Sequence, residues 1–211
     1  MKKIILFITF LFVTACAGKM EYIKPITNAK LTNSKEVNKS LDDLWKTTVP
    51  SLGKNFFVIN NIDKSSGLIN VSYSGDPEKY VDCGRIKSYV KNARGERTYD
   101  FPASKAYQNY ESFEDGMNLI FVDRKMNLEG RVNLIFESIS KNSTRITANT
   151  KYVITKSINY RDMQNRTSQH SEVISFNSGA SAYFANLDKD TQGTECVPTG
   201  ILEEEILSTI K

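Results

Sequence analysis

His170 is the chain's one histidine, so imidazole chemistry has a single possible seat. It follows Gln164-Asn165-Arg166-Thr167-Ser168-Gln169, a polar stretch that reads as a hairpin turn and makes His170 a solvated turn residue. One imidazole does not supply the two or three of a typical zinc site. Neither His-Glu-x-x-His nor Gly-x-Ser-x-Gly occurs. Asp76, Glu78 and Asp82 gather ahead of Cys83, without the glycine and the bidentate glutamate of a calcium loop. Glu203-Glu204-Glu205 suits the positive end of a helix better than it suits catalysis. The expectation is a protein that is not an enzyme and carries no catalytic residue, metal or cofactor.

The segment from Arg85 to Arg97 concentrates charge. Arg85, Lys87, Lys91, Arg94 and Arg97 stand against Glu96 alone, and Tyr80, Tyr89, Tyr99, Tyr107 and Tyr110, half of the ten tyrosines, surround them. Arginine forks onto carboxylate or phosphate, and tyrosine supplies contact area at low entropic cost. Arg85, Lys87, Tyr89, Lys91, Arg94, Arg97 and Tyr99 are therefore partner-binding candidates. The other reading of the same residues is a solvated loop whose tyrosines cover the edge of the core.

The N-terminus explains where such a protein would work. Lys2 and Lys3 precede the apolar run Ile4 to Val13, too short to span a bilayer, and the run leads into Val13-Thr14-Ala15-Cys16. The arrangement resembles the signal peptide and lipobox of bacterial lipoproteins. The resemblance implies cleavage after residue 15, lipidation of Cys16 with acyl chains such as palmitate, and a membrane as the first partner. Several acyl chains on one residue hold firmly, because each buried methylene contributes about 0.8 kcal/mol. Ala17 rather than Asp follows the cysteine, which in enteric-type sorting favours the outer membrane, with the domain in the periplasm or at the cell surface.

With Cys16 lipidated, Cys83 and Cys196 remain, in a compartment where disulfides persist; they are expected to bond to each other. The bridge would close a loop worth about 4 to 5 kcal/mol in the chain-entropy model. It would pin the C-terminal segment to the centre of the chain. The formal charge of +4 drops to +2 when Lys2 and Lys3 leave, which offers no pull toward nucleic acid.

The elements that must position these residues follow from periodicity. Residues 16–36 read as the lipidated N-terminus and a tether, and 37–211 as one domain. Leu41, Leu44, Trp45, Thr48, Val49 and Leu52 mark a helix capped by Ser40, with Pro50 expected to end or kink it. Trp45 on that face reads as core. A hairpin follows, Phe56 to Ile59 and Ile69 to Tyr73, turning at residues 63–67. Residues 76–116 read as a long, irregular, Tyr-rich basic insertion. Alternation returns at Met117-Leu119-Phe121 and Val132-Leu134-Phe136, separated by a polar stretch at 123–127, then along Ile146 to Ile158 and at Glu172 to Phe176. Leu202, Ile206 and Ile210 predict a C-terminal helix. The expected class is α+β: a single domain with a twisted antiparallel sheet packed on an N-terminal and a C-terminal helix.

The stretch Ser40 to Tyr73, with Leu-x-x-Leu-Trp, Phe-Phe-Val-Ile, Asp63 and Ser66-Gly67-Leu68-Ile69, resembles the opening of the helix-grip domains of the BamC (NlpB) outer-membrane lipoproteins. That family supplies accessory subunits of the β-barrel assembly machinery. The resemblance implies a helix-grip-like fold and a non-enzymatic accessory or scaffold role with an envelope protein partner. The alternative is a carrier for a lipid or other apolar ligand, suggested by Phe56, Phe57, Phe121, Phe136, Phe176, Tyr183 and Phe184.

Overall fold

The computed structural model describes residues 17–26, 32–54, 57–114, 118–185 and 193–211. The expected leader and Cys16, together with Phe56 and Met117, lie outside them. In chain order the elements are β1 (Ala17–Ile23), β2 (Ser34–Val37), α1 (Leu41–Gly53), β3 (Val58–Asp63), β4 (Leu68–Gly75), β5 (Val81–Asp82), β6 (Arg85–Asn92) and β7 (Gly95–Pro102). There follow β8 (Tyr107–Glu114), β9 (Asn118–Ser140), β10 (Ser143–Asp162), β11 (Thr167–Asn177), β12 (Ala182–Phe184), β13 (Thr194–Pro198) and α2 (Ile201–Thr209).

The centre is one hairpin of two very long antiparallel strands, β9 and β10, of 23 and 20 residues. Each is too long for a single neighbour. β9 is flanked by β8 over its first part and by β4 over its second, with β3 beyond β4; β10 is flanked by β2 and β11. Even-numbered residues of both strands point inward: Val122, Met126, Leu128, Val132 and Leu134 on β9 face the core, as do Ile146, Tyr152 and Ile154 on β10. The polar stretch at 123–127 is no turn. It continues β9, and an arginine at the inward position 124 is what hid the alternation.

The outer face is wet and carries a row of amides. Asn60 donates to Asn70 (2.9 Å), Asn70 to Asn133 (2.6 Å) and Asn33 to Asn149 (3.2 Å), while Asn133 and Asn149 stand opposite each other. A one-residue slip of any strand would break the row and turn its apolar residues outward, so the amides reinforce the register.

Two covers share the inner face. Over the half near the β9–β10 turn lie the helices: Trp45 meets Phe136 edge-on at 5.3 Å, and Leu202 sits over Gly130, where a Cβ would approach it to 2.7 Å. Ser40 caps α1, accepting from the Asp43 N–H at 3.2 Å, and Pro50 is carried inside the helix without ending it. Over the other half lies a second sheet, ordered β1-β6-β7, with Phe101 against Tyr110 at 5.1 Å. In a third small sheet, β12-β13-β5, the Cys83–Cys196 disulfide staples β13 to the residue that follows β5.

The expected α+β, helix-grip-like class is therefore overturned. Of the described residues 63% lie in strands and 12% in helices, forming among them three sheets and two helices, and this is not a sheet wrapped on helices. Two misread segments account for this. Residues 76–116 are not an irregular insertion but contribute β5 to β8, half of the cover. Ala17–Ile23, read as tether, is an edge strand paired residue by residue with β6, from Ala17 opposite Lys91 to Ile23 opposite Arg85.

Candidate functional site

The basic segment is a regular hairpin, and its register disposes of most of its charge. Arg85 bonds Asp100 at 2.7 Å, with Lys87 at 3.7 Å from the same carboxylate; Lys91 pairs with Glu96 at 2.5 Å and Arg97 with Glu111 at 2.6 Å. The Arg85 guanidinium holds the Asp100 carboxyl below its usual range, and Lys91 does the same to Glu96. Asp100 and Glu111 lie beyond the residue-85-to-97 window in sequence and reach it only through strand pairing. Among the described residues, Arg94, in the β6–β7 turn, is the one cation of the five without an ion pair.

The pleat also splits the seven candidates. Arg85, Lys87, Tyr89 and Lys91 share the outer face of the small sheet, whereas Arg97 and Tyr99 turn toward the large one, Tyr99 at 6.4 Å from Tyr110. His170 is on β11, half-buried, with Nε2 3.9 Å from Glu172, and is not in the turn. Trp45 is core.

The most unusual chemistry is one that sequence reasoning passed over. Arg124 is 1% exposed, and both of its terminal nitrogens, Nη1 and Nη2, lack a hydrogen-bond partner. Burial pushes its guanidinium down to about 10, against the opposing influence of the nearby Tyr110 and Tyr160 hydroxyl groups. On the adjacent strand Lys156 is also buried, its ammonium 3.3 Å from Glu172 and 4.3 Å from the Phe184 ring centre. Burial lowers the Lys156 pKa and Arg124 adds to that effect, while Glu172 opposes it. Two cations thus share the inner face, with the Glu172 carboxylate on β11, beyond Lys156 from Arg124, and a planar guanidinium in this setting is matched by a carboxylate or phosphate. The sequence signal was the phase: Arg124 and Lys156 both fall on the even, apolar series of their strands.

Glu203 is a further buried ionisable group, fully enclosed at the start of α2. Tyr152 donates to it at 2.7 Å and Ser178 at 2.6 Å, so both carboxylate oxygens are engaged. Its spacing to Leu207 and Ile210 places it on the buried face of the helix. Beside the disulfide, Tyr80 donates to Glu205 of α2 at 2.8 Å, and Lys79 pairs with the same carboxylate. The C-terminal helix is thereby fixed to the segment that precedes Cys83.

Of the aromatic residues that suggested a ligand cavity, Phe57, Phe136, Phe176 and Phe184 are packed in the core, and Tyr183 is 55% exposed. Among the described residues no group of three or more His, Cys, Asp or Glu side chains is arranged to hold a metal ion, and no helix is long and apolar enough to cross a membrane. Searches with protein-family models, curated proteins and solved structures find nothing that matches this chain.

Proposed function

We propose that the protein is a lipid-anchored component of the bacterial outer membrane whose domain acts, without catalysis, as an accessory or scaffold part of an envelope protein assembly. The lipobox-like sequence through Cys16 supports the anchor. One observation carries the scaffold role. Strand β11 is an 11-residue edge that, among the described residues, pairs with β10 on one side only, and it presents Val173 at 59% exposure. An unpaired edge of that length is a template for a partner strand, with backbone hydrogen bonds supplying affinity and alternate side chains supplying specificity. A photo-crosslinker at Val173 of the native lipoprotein in its membrane tests this. A discrete adduct of constant mass is expected; recovery of uncrosslinked monomer alone would refute the role.

A second reading, a carrier for an apolar ligand with an acidic head, is favoured by the unpartnered Arg124 guanidinium beside Lys156. Native mass spectrometry of the purified protein separates the two. A stoichiometric acidic lipid that disappears in Arg124→Met would replace the scaffold reading.

A further inference from the structure

We infer that the domain is seated directly on the membrane by the end at which β1 begins, with no leash between anchor and fold; the inference rests on the proposed lipidation of Cys16. Ala17 is already the first residue of β1 and stands opposite Lys91 in register, one peptide unit, about 3.8 Å between Cα atoms, from Cys16. The strand is held at three points. Gly18 lies so close to the Phe113 ring that a Cβ there would overlap it. The Ser112 hydroxyl contacts the Met20 sulfur at 3.7 Å, and the Tyr22 hydroxyl both donates to the Glu195 carbonyl and accepts from its N–H at 2.9 Å. Burial raises that phenol to about 12, so it stays a donor at any physiological pH.

At this end the β6–β7 turn, the end of β8, the start of β9 and the β10–β11 turn meet around an open recess of about 440 Å³, with Phe113 and Leu119 in its wall and Arg94, Met163 and Arg166 around it. Met163 is 51% exposed, and Arg161 stacks on Phe121 at 4.4 Å. The acyl chains on Cys16 would enter the leaflet beside this rim, which leaves the headgroup layer as the surface it meets. Among the described residues of the rim, Glu96 pairs with Lys91 and Asp162 with Arg166, which leaves Arg94 and Arg161 to face the headgroup layer. The covalent anchor and the stiffness of β1, neither of which salt screens, set the orientation. The β9–β10 turn is carried to the opposite end, at most about 75 Å away for an unbent 23-residue strand. The β11 edge then runs up from the rim, clear of the bilayer.

The test uses the full-length, host-lipidated protein in phosphatidylethanolamine and phosphatidylglycerol vesicles containing a headgroup-attached quencher. Fluorophores are placed singly at Arg94→Cys, Met163→Cys and Lys141→Cys; Cys83 and Cys196 are bonded to each other and do not react. Quenching at the two rim positions is expected to exceed that at Lys141 several-fold, to be insensitive to salt, and to fall when a Gly-Ser spacer is inserted between Cys16 and Ala17. Equal quenching at both ends, in protein whose lipid is verified by mass spectrometry of the N-terminal peptide, overturns the seating. An N-terminal peptide without lipid overturns the anchor reading itself, and the seating with it.

Discussion

Arg124→Met should stabilise this fold, although it removes a large buried side chain. The Arg124 guanidinium is held at about 10 by burial, where an ordinary arginine stays charged above pH 12. At about 1.4 kcal/mol per pH unit, keeping the charge inside the sheet costs about 3 kcal/mol at neutral pH. No hydrogen bond to Nη1 or Nη2 offsets that cost. Methionine follows much of the same stem, adapts to irregular space and carries no charge, and buried charges replaced in this way often release about 1 to 4 kcal/mol. For a chain of this size, 3 kcal/mol corresponds to a rise in melting temperature of roughly 6 to 12 °C. The pH dependence has a definite sign. A depressed guanidinium pKa penalises the folded wild type fully at all pH values below about 10 and less above it. The variant's advantage in urea melts should be flat from about pH 6 to about pH 9 and shrink beyond pH 10. A variant less stable than wild type, or an advantage unchanged above pH 10, would show that Arg124 is paired in solution, and the reasoning would fail.

Cys83→Ser opens the bridge to Cys196 and should cost about 2 to 5 kcal/mol, read as a lower melting temperature and faster proteolysis between Asp82 and Glu114; unchanged melting and digestion would refute it. Glu203→Ala strips the acceptors of Tyr152 and Ser178 and should destabilise by about 2 to 4 kcal/mol in urea melts, with Tyr152→Phe costing about half as much; equal losses would mean that the carboxylate does little. Asp63 is held down to about 2, chiefly by the Ser65 and then the Ser66 hydroxyls, so its contribution to the β3–β4 turn is present above about pH 4 and is lost as pH falls through 2. A carboxyl NMR titration with its midpoint near 4 would contradict that arrangement.

Local order was legible in the chain itself. The apolar series Leu41 to Leu52, its Ser40 cap, the turn at 63–67 and the C-terminal stripe Leu202 to Ile210 each depend on neighbours within a few residues, and each is found where its periodicity places it. The disulfide followed from counting thiols once Cys16 was assigned elsewhere. Long-range pairing decided the rest. Asp100 neutralises Arg85, and Glu111 neutralises Arg97, only because strands cross, so a segment that reads as freely basic has four of its five cations in ion pairs when folded. Whether an alternating run ends or continues is also a tertiary matter. Arg124 and Gly130 interrupt the apolar series of β9, yet the strand passes through both, because β8 and β4 pair along its length and Leu202 fills the space above Gly130. The same holds at the N-terminus. Nothing in Ala17 to Ile23 specifies a strand, and it becomes one because β6 presents a free edge for it to pair with.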